Sequence, residues 1–101
     1  PHLFSRTRDF VDDFATALTK FDEVLLLDIY PAREIPIAGV DSNWLLSKIE
    51  NTHKKLTQNK NLVKDIKNSS AKVVVMLGAG DIGVLINRVT KELLITLTNE
   101  I

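Results

Sequence analysis

The sequence contains no cysteine and carries no net charge, and these absences exclude several classes of function. Among its 101 residues, 13 lysines and arginines balance 13 aspartates and glutamates. Without cysteine, the chain forms no disulfide, offers no thiolate nucleophile and builds no zinc–thiolate site. A net charge of zero gives no general electrostatic attraction to nucleic acid or to an anionic membrane surface. We therefore expect neither a nucleic-acid partner nor a membrane partner.

Long apolar runs and targeting signals are also absent from the sequence. No stretch approaches the roughly 18–20 apolar residues that span a bilayer, and no signal-peptide pattern opens the chain. The composition, 45% hydrophobic and 26% charged, is that of an ordinary globular domain. We therefore interpret residues 1–101 as a single domain. We expect it to be cytoplasmic, because a chain without cysteine suits a reducing compartment.

What the sequence does contain is a succession of amphipathic helices. Residues 7–21 predict a helix that Ser5 or Thr7 caps, because apolar residues recur there at steps of three and four. The apolar stripe of this helix consists of Phe10, Phe14, Leu18 and Phe21, and Val11 and Ala17 widen it. Asp41 and Ser42 predict the start of a short helix, residues 59–68 a marginal one and residues 82–98 a strong one. The stripe of the last helix consists of Ile82, Leu85, Ile86, Val89, Leu93 and Leu97.

Between these helices lie two continuous apolar runs, at residues 23–29 and 72–77. A strand covered on one face alternates apolar and polar residues, whereas a strand covered on both faces does not. The two runs therefore predict buried strands of a parallel sheet, and a weaker strand is predicted near residues 54–57. Helices and strands in this order indicate an α/β fold.

Two good strands are too few for a parallel sheet that is covered on both faces. The chain also opens on an apolar stub, residues 1–4, that reads like the end of a strand-to-helix loop. We therefore expect that a preceding strand is missing from this sequence. A sheet edge left open in this way pairs readily with other chains, so we expect self-association.

Three unusual loops are predicted to meet at one edge of the sheet. In an open parallel sheet, ligands bind outside the carboxyl ends of the strands. The loops that begin at Tyr30 and Gly78 each follow a predicted strand, and the opening stub follows the strand that we expect to be missing. The candidate site residues on these loops are His2, Arg6, Tyr30, Gly78, Ala79 and Gly80.

The glycine-rich segment at residues 78–83 matches G-x-G-x-x-G between a predicted strand and a helix, which favours a dinucleotide-binding module. However, no strand follows with an acidic residue at its end, and Asp81 would repel a phosphate. A turn that approaches another substrate, or a purely structural turn, is the alternative. Six lysines lie between Lys48 and Lys67, and we interpret them as a solvated surface because no aromatic residues interleave with them.

Three blocks, residues 1–9, 27–42 and 78–83, together resemble the C-terminal domain of the Mur ligase family of peptidoglycan synthesis. Within that family they resemble the members that join L-alanine to UDP-N-acetylmuramate. The resemblance implies a Rossmann-like, mostly parallel sheet flanked by helices, here truncated at its N-terminus. Two residues depart from the family pattern. Leu3 stands where many members have arginine, and Arg33 replaces the usual glycine.

The resemblance also implies a chemistry for the whole enzyme. ATP and Mg²⁺ activate the muramate carboxylate as an acyl phosphate, and the amine of L-alanine attacks it to form the amide. His2 and Arg6 would hold the substrate, while Tyr30 and residues 78–80 would shape the same wall. The sequence has no P-loop pattern and no metal-site pattern, so this chain alone is expected to bind neither cofactor and to be inactive. A related muropeptide ligase, a dinucleotide-binding module and a non-catalytic interaction domain remain alternatives.

Overall fold

Two short parallel strands form the centre of the fold. The computed structural model describes residues 1–78 and 82–100, and for residues 94–100 it describes the backbone alone. Strand β1 (Val24–Leu26) pairs with β2 (Lys54–Leu56) in parallel, with Leu26 opposite Leu56. The helices are α1 (Phe4–Asp9), α2 (Val11–Thr19), α3 (Ser42–Lys48), α4 (Leu62–Lys67) and α5 (Ile82–Glu100), and a 3₁₀ turn (Asn59–Asn61) precedes α4. The fold is therefore a small α/β domain, as the order of predicted elements indicates.

Both faces of β1 are covered, which explains why its sequence does not alternate. One face packs into a cluster between α2 and α3, here called the α2–α3 cluster, which consists of Val11, Ala15, Val24, Leu26, Leu45 and Ile49. The other face meets a second cluster, here called the α4–α5 cluster, which consists of Leu62, Val63, Ile66, Leu85 and Val89. Leu25 and Leu27 of the apolar run pack against this second cluster. The predicted strand covered on both faces is confirmed, although its ladder is shorter than residues 23–29.

The first predicted helix is two helices, and its buried face is not the predicted one. The break falls at Phe10, whose φ of −120° lies outside the helical region. Phe10 is 50% exposed and Phe14 is 36% exposed, whereas Val11 and Ala15 are buried. The predicted stripe is therefore wrong for Phe10 and Phe14, whereas Val11 is buried and Leu18 packs against the α2–α3 cluster as predicted. The smaller side chains allow the helix to pack closely on β1 and α3.

The start of α1 is also different from the predicted cap. Leu3 occupies the N-cap position with φ of 64° and makes no side-chain cap. The Thr7 hydroxyl donates to the carbonyl of Leu3 at 2.9 Å, and Ser5 bonds to Glu34 instead of capping the helix. The predicted capping by Ser5 or Thr7 is therefore wrong, because both side chains are engaged in other hydrogen bonds.

Helix α3 is fixed at both ends by side chains. Asp41 accepts a hydrogen bond from the backbone amide of Trp44 at 2.8 Å, as the sequence predicts for an N-cap. At the other end, Lys54 Nζ donates to the carbonyls of Leu46 at 3.0 Å and Ile49 at 2.7 Å. A lysine of β2 thus adds a side-chain donor to two carbonyls at the end of the helix.

Residues 72–77, predicted as a strand, form no strand in the structure. Val73 is 78% exposed and Leu77 is 59% exposed, and only Met76 packs against the α4–α5 cluster. A strand requires a neighbour for its amides and carbonyls, and no described residue pairs with this segment. The prediction of a strand at residues 72–77 is therefore wrong, because the pairing that defines a strand is missing among the described residues.

Helix α5 begins where the sequence predicts, and its first turns cover the α4–α5 cluster. Leu85 and Val89 are buried, and Leu93 packs against them. Ile86, predicted in the same stripe, is exposed, and the side chain of Leu97 lies outside the described residues. In the part of the chain that the structure describes, no helix is long and apolar enough to cross a membrane.

Candidate functional site

A cavity of about 460 Å³ opens at the carboxyl edge of the two strands. Three segments meet there: the chain that leaves β1, the turn that follows β2, and the junction before α5. The lining consists of Pro1, residues 27–31, residues 58–60, Leu77, Gly78 and Ile82. This is the edge at which open parallel sheets bind their ligands, so the cavity is the candidate site.

The opening stub lies beside Tyr30 and brings His2 to the cavity. Leu3 N donates to the carbonyl of Tyr30 at 2.8 Å, and Tyr30 N donates to the carbonyl of Pro1 at 2.9 Å. The rings of His2 and Tyr30 stack with centroids 5.6 Å apart and planes inclined by 21°. His2 Nδ1 is buried without a hydrogen-bond partner. The sequence prediction that His2 and Tyr30 come together is confirmed as geometry.

Gly78 lies in the cavity wall with Tyr30, as predicted. Its φ is +156°, and a Cβ there would lie 3.2 Å from Ile82 Cδ1, so a side chain would crowd the start of α5. Ala79 and Gly80, the other candidates of the glycine-rich segment, lie outside the described residues. The structure therefore brings Tyr30 and Gly78 to one wall and leaves those two positions as predictions.

Arg6 does not line the cavity. It is exposed on α1, the helix that follows the His2 stub, whereas the other described candidates line the cavity or contact a residue that does. On the same helix, Arg8 pairs with Asp9 at 2.9 Å. That contact raises the pKa of Arg8. Of the four candidates that the structure describes, Tyr30 and Gly78 line the cavity, His2 contacts Tyr30, and Arg6 lies outside the lining.

The loop after β1 is ordered by hydrogen bonds to two helices. The Glu34 carboxylate accepts from the Ser5 amide at 3.1 Å and from the Ser5 hydroxyl. The hydroxyl contact is the main cause that holds the pKa of Glu34 below its ordinary value. At the other end of the loop, the buried Ser42 hydroxyl donates to the carbonyl of Leu27. Ser5 of α1 and Ser42 of α3 therefore hold the two ends of this loop.

A tight turn occurs inside this loop next to Arg33, the residue that departs from the family pattern. Glu34 N donates to the carbonyl of Pro31 at 2.9 Å, which closes the turn. The positive φ of 52° belongs to Ala32. The turn therefore forms without glycine at position 33, because the residue with the positive φ is Ala32 and not Arg33.

Sequence reasoning did not identify the turn at residues 58–60 as a cavity wall. The signal was present, since a weak strand was predicted to end near residue 57 and a helix to begin at residue 59. The connection between them therefore had to lie at the carboxyl edge beside the Tyr30 loop. Arg88 of α5 holds this turn by donating to the carbonyl of Asn59 at 2.6 Å.

Asp65 anchors the same turn from α4. It accepts from Lys55 Nζ at 2.8 Å and from the Thr57 hydroxyl, and Thr57 N donates to the carbonyl of Leu26. Lys55 is the main cause that lowers the pKa of Asp65, and Thr57 is the next. Two of the lysines interpreted as a solvated surface, Lys54 and Lys55, thus make structural contacts. A third, Lys60, lines the cavity.

The described residues do not fit a magnesium site. No group of three or more aspartate, glutamate or histidine side chains comes together in residues 1–78 and 82–93. Oxygen ligands from carboxylates are what Mg²⁺ takes from a protein. No cluster of three such ligands is therefore found among the described residues, and the cofactors that the family resemblance implies stay a prediction.

The chain matches curated proteins over nine-tenths of its length. It is 64% identical over 94 residues to the UDP-N-acetylmuramate–L-alanine ligase of Christiangramia forsetii, which is 93% of this chain and 21% of that protein. The enzymes of the same name from Flavobacterium psychrophilum and Flavobacterium johnsoniae are 58% and 53% identical, each over 92% of this chain and 21% of their own length. No protein-family model matches the chain. The chain therefore spans about a fifth of the length of these relatives, and the resemblance predicted from the sequence is confirmed.

Proposed function

We propose that this chain contributes the amino-acid-binding wall of a UDP-N-acetylmuramate–L-alanine ligase. Its match to such enzymes covers about a fifth of their length. The ligase joins L-alanine to UDP-N-acetylmuramate in peptidoglycan synthesis and is cytoplasmic. The observation that supports this function is the cavity at the carboxyl edge of the parallel strands, with Tyr30 and Gly78 in its wall. A related ligase that attaches a peptide is the alternative within the family.

The proposal assigns the phosphoryl chemistry to the rest of a longer protein. ATP-dependent amide formation by way of an acyl phosphate needs a phosphate cradle and a bound metal ion. This sequence has no P-loop, and the described residues assemble no metal ligands. The chain's own part is to position the amino acid. Its sheet would be Rossmann-like once a further strand lies beside β1.

The proposal gives His2 and Arg6 the task of holding the substrate carboxylate. A guanidinium suits a carboxylate because it donates two parallel hydrogen bonds. In the complete ligase, changing Arg6→Ala should raise the KM for L-alanine about tenfold to a hundredfold, which corresponds to about 1.5–3 kcal/mol. Folding should survive, because Arg6 is exposed. Steady-state kinetics with L-alanine as the varied substrate measure the effect.

The matched control is Arg8→Ala, because Arg8 is also exposed on α1 and its salt bridge among the described residues is with Asp9. An unchanged KM in both variants would remove Arg6 from the site.

The function itself is tested separately. The longer protein that contains this chain should release phosphate only when ATP, UDP-N-acetylmuramate and L-alanine are all present, and the 101-residue chain alone should release none. Turnover by the isolated chain would contradict the proposal.

A further inference from the structure

Two side chains of opposite charge line the cavity, and neither has a partner among the described residues. Asp28 follows β1 and Lys60 belongs to the turn after β2. Each is exposed, and neither takes part in the salt bridges that the structure shows. Among the described residues of the lining, they are the two with charged side chains. An aqueous cavity that offers one free carboxylate and one free ammonium is suited to a ligand with both charges.

The two charges are held on rigid supports. Asp28 lies between β1 and Tyr30. The backbone amide and carbonyl of Tyr30 both form hydrogen bonds with the opening stub, to Pro1 and Leu3. Lys60 lies in the turn at residues 58–60, which follows the buried Thr57. Arg88 holds this turn by donating to the carbonyl of Asn59. Leu26 and Leu56, the last residues of the two strands, are paired neighbours. Because parallel strands lie about 4.8 Å apart, the two charges stand on adjacent supports at one edge.

The sign of each charge discriminates between ligand classes. A phosphate or another simple anion would be attracted by Lys60 and repelled by Asp28. A simple cation would be attracted by Asp28 and repelled by Lys60. A zwitterion places an ammonium at Asp28 and a carboxylate at Lys60, so that both interactions are favourable. The remaining lining includes Ile29 and Leu77, which suit a small apolar side chain.

We infer that Asp28 and Lys60 form a zwitterion-binding pair that selects a free α-amino acid. Asp28 accepts hydrogen bonds from the ammonium group, and Lys60 donates to the carboxylate. The inference rests on the proposed function and adds two residues to it. It is compatible with a contact from Arg6, since a carboxylate has about four acceptor sites.

The test uses the Asp28→Asn and Lys60→Met variants of the complete ligase. The matched controls are Asp22→Asn and Lys67→Met, which change exposed residues. Each cavity variant should raise the KM for L-alanine about tenfold. The KM values for ATP and UDP-N-acetylmuramate should stay within about twofold of the wild type, and so should kcat. The controls should change none of these constants. Thermal unfolding of each variant checks that the fold is retained.

Two analogues separate recognition of charge from a general distortion. L-lactate lacks the ammonium, and L-alaninamide lacks the carboxylate. As competitive inhibitors, L-lactate should lose affinity in Lys60→Met alone, and L-alaninamide should lose affinity in Asp28→Asn alone. Equal losses for both analogues in both variants would show distortion and overturn the inference.

The other outcomes distinguish this inference from the function on which it rests. Unchanged KM for L-alanine, or a change confined to ATP or to UDP-N-acetylmuramate, would overturn the zwitterion pair while leaving the ligase function intact. Absence of ligase activity in the wild-type longer protein would instead overturn the proposed function, and the inference with it.

Discussion

Strand β1 is only three residues long, and its two faces are buried to different extents. On one face, the α2–α3 cluster closes around Leu45 and Ile49, each 1% exposed. On the other face, the α4–α5 cluster buries Leu85 and Val89, but the apolar residues 73–77 beside it remain largely exposed. The difference shows that the apolar run of β1 specifies burial on both sides. How completely each side is buried depends on the elements that cover it.

The largest expected effect comes from removing core volume on the two faces. Leu45→Ala should lower the free energy of unfolding by about 4 kcal/mol, and Leu85→Ala by about 2 kcal/mol. The first leaves a void in a closed cluster, whereas the second opens a cluster that already borders solvent. Urea denaturation of the 101-residue chain measures both. Equal losses would show that the two faces are equally well packed and would contradict the comparison.

A smaller effect is expected at the starts of the helices that cover the two faces. Asp41 caps α3, whereas Asn61, at the same position of α4, makes no side-chain cap. Asp41→Ala should therefore cost about 1 kcal/mol, and Asn61→Ala less than about 0.5 kcal/mol. Shifts of the urea midpoint at constant slope report the two losses. A larger loss at Asn61 would mean that α4 is capped in solution.

A pH-dependent effect is expected from Asp65, which ties α4 to β2. Its pKa in the folded state lies below the ordinary value of 3.8, because Lys55 and Thr57 donate to the carboxylate. The stabilisation is therefore present above the unfolded pKa and is lost as the pH falls through the folded pKa. Asp65→Asn should be less stable than the wild type at pH 6, and the difference should shrink below about pH 4.

Denaturant titrations across that pH range compare the wild type with Asp65→Asn and with Asp12→Asn, a control on the exposed side of α2. The control should keep the wild-type pH dependence. A difference between wild type and Asp65→Asn that stays constant from pH 6 to low pH would show that the carboxylate charge is not the cause.

The smallest effect that we expect is weak self-association through the less covered face. Residues 73–77 expose a row of apolar side chains on an unpaired backbone, and the second edge of β1 has no strand among the described residues. Such edges pair with other chains. Sedimentation equilibrium should show dimers at high concentration, and the double change Val73→Lys with Val75→Lys should return them to monomers. Ile35→Lys, at another exposed apolar site, should leave the dimers unchanged; a monomeric wild type would contradict the expectation.

Much of the fold could be predicted because local patterns coincide with the final environment. The run at residues 23–29 indicated a strand covered on both faces, and Asp41 indicated the cap of α3; both are confirmed. The wrong predictions share a physical cause. Phe10 and Phe14 were assigned to the core because they are large and correctly spaced, but spacing cannot decide between two adjacent stripes. Residues 72–77 have strand composition, but a strand also requires a neighbour.

The candidate site was predictable in its position rather than in its members. The rule that ligands bind at the carboxyl edge of parallel strands predicted Tyr30 and Gly78 at one edge, and both line the cavity, although the strand predicted before Gly78 does not form. Arg6 was included by its place in the chain, and the structure leaves it outside the lining. Lys60 was interpreted as one of many surface lysines, because its nearness to Tyr30 depends on the pairing of β1 with β2.

The sequence by itself determined the α/β class, the double-sided burial of β1, the cap of α3 and the relationship to ligases that use L-alanine. The first three are properties of consecutive residues that hydrophobic periodicity and turn chemistry record directly, whereas the relationship rests on the resemblance of the blocks at residues 1–9, 27–42 and 78–83. Only the tertiary structure decided which stripe of α2 is buried and which side chains share the cavity. Those outcomes depend on contacts between residues far apart in the chain, such as Thr57 with Leu26 and Arg88 with Asn59. No local pattern encodes such a contact, because its energy exists only after both elements have packed.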